Sequence, residues 1–566
     1  MNYRQPSIKM DKLMLRFPHL FEHIFQKLNI ESLFKSREIA KSWKYFINER
    51  SYPWLCVVDI PRILQNRNTY LHLAAETGQI DVFKTALSEE EDKTIKNIYK
   101  ETAFHLACRN GCLSIVELLL ENTNLNIDIN ARDKKKSTGF ILACQKGHVN
   151  VVKVLLENAV ARGIDLNARG ERNGAALLWA YTQDHFEIVK LLMEYSLDTL
   201  SIEFNAKDDQ VQGGHTIFDG ACFNGNPDLV KMFMENAAKW SIDLNAKDKS
   251  GQTAFQLACG RGHVDVVEIF VENSATMSID LNAKDIVGQT AFNFACGRGR
   301  ITVVKMLMEN AARLSIDLHA KNNEGQPAFF TACNWGHVDV AKLFMDNSAH
   351  LNIDLNTKDI KGQTAFHMAC RWGHSDVVKM FMESSATLNI DLNIKDNAGQ
   401  TAFQLACRWG LLNVVSIFME NADTLSIDLN VEDISGWTPF HMACGFGHVN
   451  VAEMFMENSV NLSIDLNAKE QTGQTAFHLA CGRDHFYLVK VLMENSATLS
   501  IDLNAKDNNG HTAFNLACNL DDPSILELML NKSKTLKIDL EIERRRNREF
   551  VTLIRYKMAQ FSIGGY

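Results

Sequence analysis

The chain has 566 residues, of which 46% are apolar and 22% charged, with a net charge of −9. These are ordinary values for folded protein, and the acidic balance argues against a general nucleic-acid binder. The basic runs Lys134-Lys135-Lys136 and Arg544-Arg545-Arg546 are short and read as solvated ends. No apolar signal opens the chain, and no run reaches the roughly 18 apolar residues of a membrane span, so no membrane partner is expected.

The first segment, residues 13–57, is unlike everything after it. Phe17-Pro18 opens it, and Leu20, Ile24 and Leu28 recur at helical spacing. Leu33 starts a short second helix, and Ile39, Trp43 and Ile47 mark a third. The pattern resembles an F-box, with its LP-x-E-I-x-x-x-I-x-x-x-L opening, short middle helix and late V-x-x-x-W. Phe17 stands for Leu, and Leu20-Phe21 departs from the opening. The resemblance implies a three-helix plug for the SKP adaptor of a cullin–RING ubiquitin ligase. Pro18, Leu20, Ile24, Leu28 and Leu33 would face the adaptor, with Trp43 packed inside. The alternative is a helical cap for the array that follows.

From residue 62 to 540 the chain repeats itself. Cys222, Cys259, Cys296, Cys333, Cys370, Cys407, Cys444, Cys481 and Cys518 stand 37 apart, and Cys108 and Cys144 stand 36 apart. A fixed period of this length signals stacked units, each touching only its neighbours. In residues 246–282, Gly251 suits a tight turn and Thr253 can cap a helix. Phe255, Ala258 and Cys259 form one helical face, and Gly262 suits the left-handed stop. Val264, Val267 and Val271 stripe a second helix whose Asp265, Glu268 and Glu272 face out.

Turn, helix, loop, helix with G-x-T-x-x-x-x-A resembles the ankyrin repeat. Leu71-His72-Leu73-Ala74-Ala75 with Gly78 carries the family's LHLAA-x-x-G, and Gly436-Trp437-Thr438-Pro439-Phe440-His441 its G-x-TP-x-H. The family's usual unit has 33 residues, so the 37-residue copies carry four more after the second helix, where a longer helix or loop is expected. The resemblance implies an all-α solenoid of about thirteen repeats with short β-hairpin-like fingers. Its units centre on Ala75, Cys108, Cys144, Tyr181 and the nine regular cysteines. The Tyr181 unit has lost its Thr, the next has a lengthened turn at 209–214, and residues 541–566 read as a capping helix or tail.

One cysteine per unit, spaced by a helix–helix distance of about 8–10 Å, cannot form disulfides, which need Cα atoms within about 7 Å. The cysteines read as small buried spacers in a reducing compartment, cytosol or nucleus. The repeated histidines and the ladder Asp243, Asp280, Asp317, Asp354 and Asp391 lack metal-site spacing, and no metal, cofactor or catalytic motif is expected. The variable positions include the two residues after each cysteine. They read Gly260-Arg261, Gly297-Arg298, Asn334-Trp335, Arg371-Trp372, Arg408-Trp409, Gly445-Phe446 and Gly482-Arg483. In the ankyrin family these positions face the concave groove, with Trp437 expected to point the same way. Trp and Arg dominate binding hot spots, so these residues are expected to hold a protein substrate with apolar and acidic residues. The bland alternative is tryptophans packing on one another. Ligase substrate receptor is the leading functional expectation, and ankyrin scaffold without a ligase the runner-up.

Overall fold

A computed structural model describes residues 69–89, 94–171, 174–198, 200–205, 216–520 and 522–540. The F-box-like segment with Pro18, Leu20, Ile24, Leu28 and Leu33, the lengthened turn at 209–214 and the tail from 541 lie outside them. The described residues form 27 α-helices and no strand; one isolated bridge joins Arg169 and Ala175. The chain divides into two units, 1–212 and 213–566. In the first, four helix pairs run from Tyr70–Thr77 with Ile80–Glu89 to Ala176–Thr182 with Phe186–Asp198. In the second, nine pairs run from Ile217–Asn224 with Pro227–Glu235 to Ala513–Ala517 with Ser524–Leu536.

The Cys259 repeat shows why the sequence folds this way. Thr253 caps Ala254–Arg261, its hydroxyl accepting from the Gln256 N–H while the Gln256 carboxamide accepts from the Thr253 N–H at 2.7 Å. This reciprocal pair satisfies two donors that a helix start leaves open. The other end of the Gln256 side chain donates to the Ala283 and Gln289 carbonyls of the next repeat, both at 2.8 Å. His367, His441 and His478 do the same work. In each, Nδ1 lies 3.2 Å from the capping threonine's N–H and must accept, so Nε2 carries the proton. That N–H points at the carbonyl of Gln400, Gln474 and His511, respectively. The Tyr181 repeat, without its threonine, has no side-chain cap.

Glycine ends the first helix for two reasons. Gly336 has φ +74°, a conformation that costs other residues strain, and a Cβ there would lie 2.5 Å from the His374 ring. His374 Nε2 meets the Asn334 carbonyl at 3.0 Å. His148, His263, His337 and His448 bridge to the preceding repeat in the same way. The histidines inside and after the first helix are thus both structural hydrogen-bonders.

The first helix is buried nearly all round, with Ala258 and Cys259 fully buried. Their small side chains let neighbouring helices approach. The second helix buries Val266, Val267, Phe270 and Val271, whereas Val264 is only half-buried. The expected stripe is therefore shifted toward Phe270, which meets Phe255 of its own repeat and Phe218 of the one before. The pattern continues through Phe366, Phe418, Phe403 and Phe455, with centroids 4.9–5.9 Å apart. Each buried phenylalanine contributes about 1.5–3 kcal/mol, and much of it bridges two repeats.

The four extra residues build a second seam. Several second helices run to 14 residues, as in Ile301–Leu314, and end on a left-handed serine or asparagine such as Ser315 or Asn389. Beyond it, Asn282 donates to the Ser315 carbonyl and accepts from the Asp317 N–H of the next repeat, both at 2.8 Å. The ladder aspartates turn inward on their own loops; Asp280 accepts from the Asn282 N–H. The fingers are single tight turns rather than strand hairpins. Asp248 accepts from the Ser250 and Gln252 N–H groups, and the Ile286 N–H donates to the Ser250 carbonyl of the preceding finger.

Candidate functional site

Every side chain in the frame described above is committed to the stack. The residues just before the helix-ending glycine are not, because the helix stops there and nothing follows to cover them. Trp335, Trp372, Trp409 and Phe446 occupy this place in four consecutive repeats, with 65, 57, 51 and 37% of their surface exposed. Exposure of aligned large aromatics is unusual, since such groups gain most from burial.

The aromatic rungs are interleaved with arginine. The Arg371 guanidinium lies 5.7 Å from the Trp372 ring centroid and 5.6 Å from that of Trp409. Arg408 lies over Phe446 at 4.8 Å, and Arg483 reaches both Phe446 and Trp437, at 5.4 and 5.0 Å. Such cation–π contacts hold a guanidinium in place without neutralising it. Trp437 is half-buried, rests against Phe446, and so joins the same surface as expected from its turn position. Among the described residues the tryptophans at 335, 372 and 409 make no ring contact with one another; Arg371 fills the step between two of them. Tryptophan self-packing is therefore not what holds these side chains.

Arg261 and Arg298, in the two repeats before Trp335, are exposed and stack on Phe223 and Phe294. Arg300, which takes the place of the usual histidine, donates to the Gly260 carbonyl at 3.3 Å and completes a three-arginine group. Partial burial, then the charges of Arg261 and Arg300, lower the Arg298 pKa. Among the described residues none of Arg261, Arg298, Arg371, Arg408 and Arg483 has a carboxylate within ion-pair distance. The Nε of Arg371 is buried without an acceptor, an arrangement that costs free energy in the isolated chain. One contributor was missed in the sequence, Arg300, signalled only by its departure from histidine; for Asn334, read there as a variable position beside Trp335, the role that did not show is its Oδ1 accepting from the Trp372 indole at 2.9 Å.

Among the described residues no group of His, Cys, Asp and Glu could hold a metal ion, and no helix is long and apolar enough to cross a membrane. The repeat cysteines from Cys108 to Cys481 are free and buried, and burial pushes their thiols well up, away from the reactive thiolate.

Comparison with known proteins bears on the frame rather than the face. The family described as Ankyrin repeats (3 copies) matches residues 43–133, 125–208, 218–317, 311–396, 386–465 and 457–542. The first match begins inside the 13–57 segment. Alpha-latroinsectotoxin-Lt1a of Latrodectus tredecimguttatus is 32% identical over 76 residues, which are 13% of this chain and 5% of the toxin. The ankyrin repeat domain of Bcl-3, described as a unique member of the IkappaB protein family, matches with 24% identity and a TM-score of 0.34. That match covers 41% of this chain and 95% of the Bcl-3 chain, and at that score it carries no argument. The family matches span most of the chain, and with the capped helix pairs described above they show that this protein belongs to the ankyrin-repeat family.

Proposed function

We propose that the chain is a non-catalytic protein-binding scaffold that seats its partner on the first-helix ends of the Cys333 to Cys444 repeats. The observation that carries this reading is the row Trp335, Trp372, Trp409 and Phe446, exposed in register and interleaved with Arg371 and Arg408. A few hot-spot residues supply most of the binding energy at protein interfaces, and Trp and Arg are enriched among them. Replacing Trp372→Ala together with Trp409→Ala should remove about 2 kcal/mol or more of binding. Folding should change little, because both side chains are more than half exposed. The measurement compares proteins captured from lysate by the double variant and by wild type. Identical captures would place the partner site elsewhere.

A finer reading makes the scaffold the substrate receptor of a cullin–RING ubiquitin ligase working in the cytosol or nucleus. What supports it is the order of Phe17-Pro18, Leu20, Ile24, Leu28, Leu33 and Trp43 in residues 13–57. In this reading Pro18, Leu20, Ile24, Leu28 and Leu33 dock the SKP adaptor and about thirteen repeats hold the substrate. Ile24→Asp should abolish adaptor binding by putting a charge into a desolvated apolar interface. Failure of the wild-type chain to bind the adaptor in a pulldown leaves the scaffold alone.

A further inference from the structure

We propose that the partner is an extended acidic segment, lying along the first-helix ends with carboxylates about three residues apart on Arg371 and Arg408. The inference rests on the partner site proposed above and names the chemistry that fits it.

Charge is the first argument. The whole chain is acidic, at −9, yet this face gathers Arg261, Arg298, Arg300, Arg371, Arg408 and Arg483. None of the first-helix-end arginines meets a carboxylate of the described residues. A surface that leaves its cations unpaired on an anionic protein complements an anionic partner and steers it.

Geometry is the second. Arg371 is held between the Trp372 and Trp409 rings, and its Nε has no acceptor. A guanidinium presents a planar fork that matches a carboxylate, and a fork already held in place loses less freedom on binding. Small adjustment of the Arg371 side chain on docking would give that donor the acceptor it lacks. The exposed indole and phenyl faces beside each arginine then take the apolar side chains of the same segment.

Spacing is the third. Consecutive first helices lie about 8–10 Å apart, and a chain extended in the polyproline II conformation advances about 3.1 Å per residue and returns to the same face every third residue, about 9 Å on. One repeat thus corresponds to about three residues. A segment with an acidic residue at every third position and an apolar residue beside it would set carboxylates on Arg371 and Arg408 and apolar groups on Trp372, Trp409 and Phe446. The basic ends, Arg261 with Arg298 and Arg300 before the aromatic rungs and Arg483 after them, bound the track on both sides. Single-stranded nucleic acid also stacks on aromatics beside arginines. Its charge on every nucleotide suits the acidic chain less well than a segment with a charge at every third residue.

The test uses the full chain and labelled peptides of five Glu-Leu-Ser triplets, with Gln-Leu-Ser and Lys-Leu-Ser counterparts and an oligouridine, read by fluorescence anisotropy. The Glu peptide should bind about tenfold or more tighter than the Gln peptide, and the difference should shrink as salt is raised. Arg371→Glu with Arg408→Glu should abolish that preference and favour the Lys peptide. Arg371→Lys, which keeps the charge and loses the fork, should weaken Glu binding without reversing it, and it serves as the readout if circular dichroism shows the double variant misfolded. Equal binding of Glu and Gln peptides, tighter binding of oligouridine, or no binding of the Glu peptide would overturn the inference. Loss of lysate partners by the Trp372→Ala, Trp409→Ala variant in the same preparation would then show that the partner site stands and only its chemistry was misjudged.

Discussion

The junction between the Cys296 and Cys333 repeats and that between the Cys407 and Cys444 repeats share one frame but differ in what crosses them. At the second, Gln404 donates to the Val431 and Trp437 carbonyls at 3.0 and 2.8 Å. Asn430 donates to Ser463 and accepts from Asp465, Gln400 reaches Asp433, and His448 reaches Arg408. At the first, Asn293 replaces the glutamine. It caps its own helix but is one methylene too short to cross, and its Nδ2 is buried without a partner. His319 stands where the loop asparagine should be and is exposed. His337, Lys284 and Asn323 still cross. The stack is thus not uniformly strong, and in a solenoid stability is a sum of nearest-neighbour terms. The aromatic rungs begin at Trp335, immediately beyond the weaker junction.

The comparison breaks most clearly if a buried ring is removed on each side of it. Phe292→Ala and Phe403→Ala each delete a fully buried ring that meets the next repeat, Phe344 at 5.7 Å and Phe455 at 5.9 Å. Each should cost about 3–5 kcal/mol. Phe403→Ala should shift unfolding as one event, because the remaining side-chain bonds still couple the repeats. Phe292→Ala should split urea unfolding into two transitions. Matching profiles for the two variants would show that the crossing hydrogen bonds do not set the coupling.

Restoring the missing bonds sharpens the same contrast. Asn293→Gln with His319→Asn copies residues that other junctions already use, and the carbonyls they would meet are present. A net gain of about 1–3 kcal/mol is expected, at roughly 0.5–1.5 kcal/mol per bond plus relief of the orphaned amide. The urea midpoint should rise and hydrogen exchange around residues 316–326 should slow. An unchanged midpoint would mean that the orphaned Asn293 amide is not a cost.

These junctions also show what could be read in the chain and what could not. Thr253, Cys259 and Gly262 were legible because each does one local job that its residue type suits, and the 37-residue period locates it in most copies. Asn282 was not. An Asp-Leu-Asn run looks like any solvated loop, and its meaning depends on a carbonyl in the next repeat, 33 residues on. The left-handed Ser315 was hidden similarly, since glycine is the usual signal for that conformation. At the binding face the aromatic row was legible as a register. The placing of Arg371 between two indoles was not, because it depends on side-chain packing across a repeat boundary. Residues 13–57 carry a readable pattern whose structure lies outside the described residues.

The smallest expected effect separates the junctions by chemistry rather than by strength. His367, His441 and His478 cross to the next repeat as neutral rings, whereas Gln256 and Gln404 make the same crossing with an amide that does not titrate. Burial lowers the pKa of all three histidines below the ordinary 6.5; around His367, Asp396 and Asp359 oppose that shift and Lys358 adds to it. Protonating Nδ1 would also turn it from acceptor to donor against the threonine N–H that it serves. The unfolded chain therefore binds these protons at higher pH than the folded one. Stability is fully kept above about pH 6.5 and is lost as pH falls from there through the folded pKa values. Changing all three to glutamine should lessen the fall of the urea midpoint between pH 6.5 and 5 relative to wild type and leave it nearly unchanged at pH 7.5. His105, which crosses to the Ser137 carbonyl and is likewise lowered by burial, keeps its share of the fall. The same acid slope in the triple variant would mean that other groups govern it, and that the histidine and glutamine junctions are interchangeable at every pH.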